Sequence, residues 1–340
     1  MEFLESIARL GAVGWLILLG AVLFDFANGW NDAGNAIATA VCTRVLRPAV
    51  AVAFGAALNF LGAMWSSEVA KTVGKDIADP AVLTSATYLA ALFVAPIWIG
   101  VCSWRGMPIS CSHSLMGALV GAVVATAGPS HLMRAGIEKI LFGVFCGPFV
   151  GFFLGLTVVT LVCHLFKNAR PSVVNSVFGK LQIVSAGTMA FAHGTGDAQK
   201  AMGIITGAMI AGSKADWHIS PWVRVLCASA MAAGTAIGSW AVIRTLGTRL
   251  SHLRTYQGFA AETGAAATIL LNTSFGIPLS TTHSITGSIM GVGSAHGLRT
   301  VRWGVGRKIV YAWLLTFPVC ISGGWLCAKL FAVIGLGGAA

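Results

Sequence analysis

Phe26-Ala-Asn-Gly-Trp-Asn-Asp-Ala-Gly-Asn-Ala-Ile37 returns in the second half of the chain as Phe191-Ala-His-Gly-Thr-Gly-Asp-Ala-Gln-Lys-Ala-Met202. Phe, Ala, Gly, Asp, Ala and Ala match in register. A second stretch, Pro108-Ile-Ser-Cys-Ser-His-Ser-Leu-Met-Gly117, returns as Pro278-Leu-Ser-Thr-Thr-His-Ser-Ile-Thr-Gly287. The two pairs keep their order and nearly the same offset, so the sequence is read as a duplication. Its halves, residues 1–175 and 176–340, meet near residue 175.

The background of these motifs is apolar. The chain has 340 residues, of which 56% are hydrophobic and 10% charged, with a mean hydropathy of +0.81. A soluble domain carries about 25% charged residues. The composition therefore predicts an all-α polytopic membrane protein. It argues against soluble enzymes, secreted disulfide scaffolds and nucleic-acid binders. At about 20 residues per crossing, the length fits about ten to twelve transmembrane helices. Candidate spans are 11–27, 48–65, 82–104, 110–127, 137–163, 181–193 with 200–212, 221–246, 258–275, 280–295 and 305–335. The first run follows Glu2, Glu5 and Arg9 and lacks a basic leader, so it reads as a span rather than a signal peptide. The net charge of +11 sits in short clusters between apolar runs, the pattern of cytoplasmic loops. The eight cysteines form no C-x-x-C pair and read as small core residues, not as a metal or disulfide set.

Short, Gly- or Pro-interrupted apolar segments at matching places in two halves point to the binding site of a transporter. Broken or short helices are therefore expected at both motif pairs. Most acids fall in loops. Asp25, Asp32, Asp197 and Glu262 fall in apolar runs, where an ionised acid costs at least about 2.5–3.5 kcal/mol and calls for an ion path or a partner. Asp32 and Asp197 are mates within the repeat. Asn28, Asn31 and Asn35 surround the first, a set of carboxylate and amide oxygens suited to a hard cation or a proton. The nearby glycines are expected to break the helix and free backbone carbonyls as further ligands. His193, Thr195, Gln199 and Lys200 surround the second acid. Lys200 either faces substrate or snorkels to the membrane edge. Asp25 reads equally well as a neutral acid held between helices, and Glu262 has no mate.

Each P-x-S-x-x-H-S segment reads as a helix start, with Ser at a capping position. Such ends present free N–H groups and a positive dipole end to anions. Ser110, Cys111, Ser112 and Ser114 line one start, and Ser280, Thr281, Thr282 and Ser284 the other. Converging at the bilayer midplane, the two starts would cradle a tetrahedral oxyanion. His113 and His283 would orient them. An oxyanion beside Asp32 and Asp197 in a low dielectric demands co-bound cations, which is symport.

At these residues the sequence resembles the PiT inorganic phosphate transporter family. The family signature G-x-N-D-x-x-N-A is similar to Gly29 through Ala36, and H-G-T-N-D-A-Q-K-x-M-G to His193 through Gly203. P-x-S-T-T-H resembles Pro278 to His283, and P-x-S-S-S-H resembles Pro108 to His113. Thr43 to Leu46, Asn59 to Gly62, Glu68 to Thr72 and Arg302 to Trp313 look familial too, so nearly the whole chain is covered. The resemblance implies two inverted repeats with the substrate site between them, a homodimer, no cofactor, and a multi-pass protein of a bacterial cytoplasmic (inner) membrane. It implies phosphate binding by Ser110, Cys111, Ser112, Ser280, Thr281, Thr282, Gln199 and Asn31. It implies a coupling H+ or Na+ at Asp32, Asp197, Asn28, Asn35 and Thr195, with His113, His283, Lys200 and Glu262 in support. Gly196 departs from the pattern by replacing an Asn, and Cys111 by replacing a Ser. A metal–phosphate complex as cargo and a sulfate permease on the same scaffold stay open. An intramembrane hydrolase is a third reading, although neither H-E-x-x-H nor G-x-S-x-G is present. A channel is a fourth.

Overall fold

The computed structural model describes residues 11–79, 82–210, 217–295 and 297–335. The acids Glu2, Glu5 and Asp216 lie outside the described residues. The first half contributes α1 (Ala12–Cys42), α2 (Pro48–Ala63), α3 (Glu68–Lys71, continued as a π-turn over Thr72–Asp76), α4 (Ser85–Trp104), α5 (Cys111–Thr126) and α6 (Arg134–Leu165). The second contributes α7 (Pro171–Asp197), α8 (Gln199–Ile210), α9 (Pro221–Ile237), α10 (Trp240–Arg244, continued as a π-turn over Thr245–Arg249), α11 (Thr255–Ser274), α12 (Thr281–Ser294) and α13 (Trp303–Val333). The described residues are thus helical, apart from loops and one isolated bridge between Ala78 and Leu132.

The two lists match element for element. Helix α1 corresponds to α7 with α8, the pair α2–α3 to α9–α10, and α4, α5 and α6 to α11, α12 and α13. The bent pairs turn by similar angles, 66° between α2 and α3 and 61° between α9 and α10. Each of the ten candidate spans finds its helix or helix pair. Among the described residues, length and composition alone support fewer full crossings than ten to twelve: four helices qualify, α1, α4, α6 and α13, or six if each bent pair is one span. Helices α7 and α11 are long, but they carry the polar residues of the site.

Packing exchanges partners between the halves. Helix α5 packs on α13, and its counterpart α12 packs on α6. Likewise α1 packs on α9, while α7 packs on α2. Four glycines make the second exchange possible. A Cβ on Gly29 would stand 2.1 Å from the Met231 carbonyl oxygen, and one on Gly194 2.1 Å from that of Asn59. Gly62 meets the Phe191 carbonyl and Gly234 that of Phe26 at the same distance. Only hydrogen fits at such crossings, where backbones touch as small residues allow in membranes.

This use of glycine corrects one expectation. Helix α1 runs unbroken through Asp32, because Gly29 and Gly34 serve close approach to α9 and α10 rather than a break. The Trp30 carbonyl accepts from the Ser239 backbone N–H at 2.8 Å, in the loop before α10. The break falls in the second motif alone, at Ala198 between α7 and α8. On the outside, Phe142, Phe145, Phe149 and Phe153 form an exposed stripe along α6. An apolar face of that size suits hydrocarbon rather than water. The chain is a multi-pass membrane protein.

Candidate functional site

The two polar motifs meet at the centre. Ser110 is the N-cap of α5, and its hydroxyl oxygen accepts from the His113 backbone N–H at 3.1 Å. Ser280 does the same for α12 at His283, at 3.3 Å. The two starts interlock reciprocally. Ser112 donates to the Leu279 carbonyl at 3.0 Å, and Thr282 donates to the Ile109 carbonyl at 2.9 Å. Each helix start is therefore tied to the loop that leads into the other.

Asp32 sits against this junction, buried. Thr282, whose single hydroxyl proton is shared with the Ile109 carbonyl, donates to its Oδ1 at 3.0 Å, and Thr281 to its Oδ2 at 3.2 Å. The Asn31 amide also donates to Oδ1, at 3.3 Å. Asn35, one turn on, donates to Thr282 at 2.9 Å and to Thr281 at 3.3 Å. Asn31 reaches the Ile109 carbonyl at 3.3 Å and the Cys111 sulfur at 3.5 Å, while accepting from Ser103 at 3.1 Å. The structure thus gathers Asn31, Asp32, Asn35, Cys111, Thr281 and Thr282 into one buried cluster, with Ser110, Ser112 and Ser280 at its edge.

His193 joins the two repeat acids. Its Nε2 lies 3.6 Å from Asp32 Oδ2 and 3.6 Å from Asp197 Oδ2. Its Nδ1 bonds Asn59 Oδ1 at 2.8 Å, and Asn59 in turn donates to Thr235 at 2.8 Å. One ligand atom from each of Asp32, His193 and Asp197 falls within 4.8 Å of the others, so the three can hold a cation together. The sequence placed His193 beside Asp197 but not between the acids. Its match to Asn28 in the repeat marks it as a position where the halves differ.

Lys200 is fully buried and pairs with Asp197 at 2.6 Å, which settles its two readings against snorkelling. It occupies the repeat position of Asn35. The ammonium offsets one of the two acids, so the cluster carries less uncompensated charge than the sequence alone implies. Other residues stand apart from the cluster. Gln199 accepts from the Ala70 backbone N–H at 3.1 Å and donates to the Thr195 carbonyl, fastening α3 to α7. Thr195 donates to the Ala192 carbonyl of its own helix at 2.7 Å. The side-chain amide of Asn28 has no hydrogen-bond partner among the described residues.

His113 and His283 pack behind the helix starts. Their rings meet edge-on at 4.6 Å, His113 stacks on Phe317 at 4.8 Å, and His283 lies 3.7 Å from Trp313. Trp313 also donates to the Pro108 carbonyl at 3.0 Å. These rings anchor both starts to α13.

Glu262, on α11, has its own polar cluster. It accepts from Thr39, from Ser185 and from the Gln182 amide, the last at 3.3 Å. Thr43 donates to Gln182 at 2.9 Å. Thr43 also lines a pocket of about 650 Å³, together with Arg44, Asn175, Arg254, Thr255 and Tyr256. Asn35 and Thr39, one turn apart on α1, therefore lie between Asp32 and a basic pocket. In the first half, the positions that match Glu262, Gln182 and Ser185 are Leu92, Ile17 and Gly20.

Comparison with known proteins agrees with the shape and the motifs. A model of the phosphate transporter family matches residues 28–175 and 166–324. A "probable low-affinity inorganic phosphate transporter" of Bacillus subtilis is 41% identical, covering 91% of this chain and 94% of its own. A relative of the same description from Rhizobium meliloti is 42% identical, covering 90% and 93%. The solved structure described as "the sodium-dependent phosphate transporter" superposes with a TM-score of 0.83 at 23% identity. It covers 95% of this chain and 100% of its own, and establishes the fold. The family is one of transporters, not enzymes, and by sequence match over most of its length this chain belongs to the phosphate transporter family.

Proposed function

We propose that the chain imports inorganic phosphate across a bacterial cytoplasmic membrane together with a cation, H+ or Na+, by alternating access. One observation carries this reading: the hydroxyls best placed for an oxyanion, on Thr281 and Thr282, donate to Asp32. An anion entering between the helix starts takes over those hydroxyls and the free N–H groups of two helix ends. Asp32 then loses its donors while an extra negative charge arrives. In a low dielectric that state is affordable only with a cation at Asp32, His193 and Asp197. Anion and cation thereby bind together or not at all.

The exchange of helix partners between the halves supports inverted repeats over 1–175 and 176–340. It also supports a site that opens alternately to either side as the halves rock. Glu262, one hydrogen bond from Thr39 on the same helix as Asp32, is a second place for the cation on its way to the basic pocket.

Asp32 also favours phosphate over sulfate. Phosphate near neutral pH still carries protons and can donate to a carboxylate, whereas sulfate cannot. Uptake of labelled phosphate in proteoliposomes, with either anion as competitor, tests this. Unlabelled phosphate should suppress uptake and sulfate should not. Equal suppression by sulfate would favour the sulfate permease reading.

A further inference from the structure

Helix α1 carries a polar seam that extends beyond the site. Asp25, Asn28, Asp32, Asn35 and Thr39 recur at spacings of three and four, which puts them on one helix face. All five are buried. Asp32 lies at the centre of the seam. Thr39, seven residues one way, holds Glu262. Asp25, seven residues the other way, is itself an acid. At 1.5 Å per residue each lies about 10 Å from Asp32 along the axis. Neither flanking acid is duplicated: Ala190 stands at the match of Asp25, and Leu92 at that of Glu262.

The surroundings of the two flanking acids differ. Glu262 is fully hydrogen-bonded. Neither oxygen of Asp25 has a nitrogen or oxygen hydrogen-bond partner among the described residues, nor does either polar atom of the Asn28 amide one turn away. The thiol of Cys227 on α9, a weak donor, is the one described group that hydrogen-bonds the carboxyl. Two other charged groups act on it, Lys200 of α8 and Asp197 of α7, and these are already paired with each other at 2.6 Å. Helix α4 contributes only Tyr88 and Cys102, both uncharged at neutral pH, and α2 contributes no titratable residue. A carboxylate so placed has no counter-charge of its own, and buried charge without a partner is neutralised rather than kept. A Na+ ion seeks a shell of several oxygens, and here one carboxyl, one amide oxygen and a thiol are available. A proton needs only one oxygen.

We propose that Asp25 is a proton-carrying station of the transport cycle, on the opposite side of the phosphate cluster from Glu262. A hydronium ion on that side gives its proton to the Asp25 carboxylate while the site is open, leaving water and forming an O–H bond, and the same bond breaks to pass the proton to water on the other side once the site has turned. This rests on the symport reading above and specifies H+ as a coupling ion.

The test uses the purified full-length chain as wild type, Asp25→Asn and Asp25→Glu. In proteoliposomes, Asp25→Asn should lose phosphate accumulation driven by an imposed proton gradient, falling to the level seen with no gradient. Exchange of internal for external phosphate, which needs no proton release, should persist. Asp25→Glu, which keeps the titrating group, should restore gradient-driven uptake. Infrared difference spectra between acid and neutral pH should show a buried carboxylic-acid band that Asp25→Asn lacks. That second arm reads the proton on Asp25 even if phosphate is not the cargo. Full proton-driven uptake by Asp25→Asn would overturn the proposal, as would loss of exchange and uptake alike without rescue by Glu. Uptake driven by Na+ alone, or a spectrum unchanged in Asp25→Asn, would overturn it too.

Discussion

At the scale of single residues, Asp32 is the side chain on which the reading turns. It accepts from two threonines of the other half and an asparagine of its own helix, so its charge is held only by neutral donors and a histidine. Asp32→Asn keeps the volume and removes the charge. Each charge-assisted bond contributes about 1.5–3 kcal/mol, so coupled uptake should fall by about a hundredfold while the protein stays monodisperse in detergent. Asp197→Asn has a different consequence, because it strands the Lys200 ammonium in the interior. Breaking a buried pair on one side costs about 3–5 kcal/mol, so thermal unfolding should show a marked loss of stability. Adding Lys200→Met should return most of that stability but not transport. Equal stability of wild type and Asp197→Asn would contradict the pairing. Most of this cluster was legible from the repeat. The bridge made by His193 was not, because it exists only once α1 and α7 lie side by side, and neither spacing nor composition encodes that approach.

At the scale of elements, glycines and one missing amide carry the argument. The duplication was plain in the sequence, and so were the helix starts at Ser110 and Ser280. The continuity of α1 was not: Gly29 reads as a breaker in isolation, and its reason is the Met231 carbonyl of another helix. Gly194→Ala would push a methyl against the Asn59 carbonyl, so α7 and α2 must separate. Overpacking of this kind costs typically about 1–3 kcal/mol, readable as a lowered Tm. An unchanged Tm would show that the crossing yields freely. Gly196 stands where Asn31 stands in the first half. A Cβ there would lie 3.2 Å from Thr273 Oγ1, and Thr273 matches Ser103, the donor to Asn31. Gly196→Asn should therefore gain a helix-to-helix bond, raising stability by about 1 kcal/mol in a thermal melt. A lowered Tm would mean the 3.2 Å approach is too tight to accommodate the side chain.

At the scale of the whole molecule, charge and symmetry work against each other. The halves are alike in elements and crossings, yet the acids at Asp25 and Glu262 and the base at Lys200 belong to one half each. In the proposed alternating-access cycle the matching elements of the two halves would supply two related conformations, and the unshared charges would give the path a direction. Glu262→Gln should leave phosphate binding in place and slow net uptake by about tenfold, since it removes a charge that Thr39, Ser185 and Gln182 stabilise. Unaltered net uptake would remove Glu262 from the path. Lys200 offsets Asp197, so the charge argument for a co-bound cation rests on Asp32. The central claim, that anion and cation enter together, is tested most directly by labelled phosphate uptake into proteoliposomes with H+ and Na+ gradients imposed separately. Accumulation driven by one of the two gradients, and absent in Asp32→Asn, is the expected result. Undiminished accumulation with neither gradient present would contradict it.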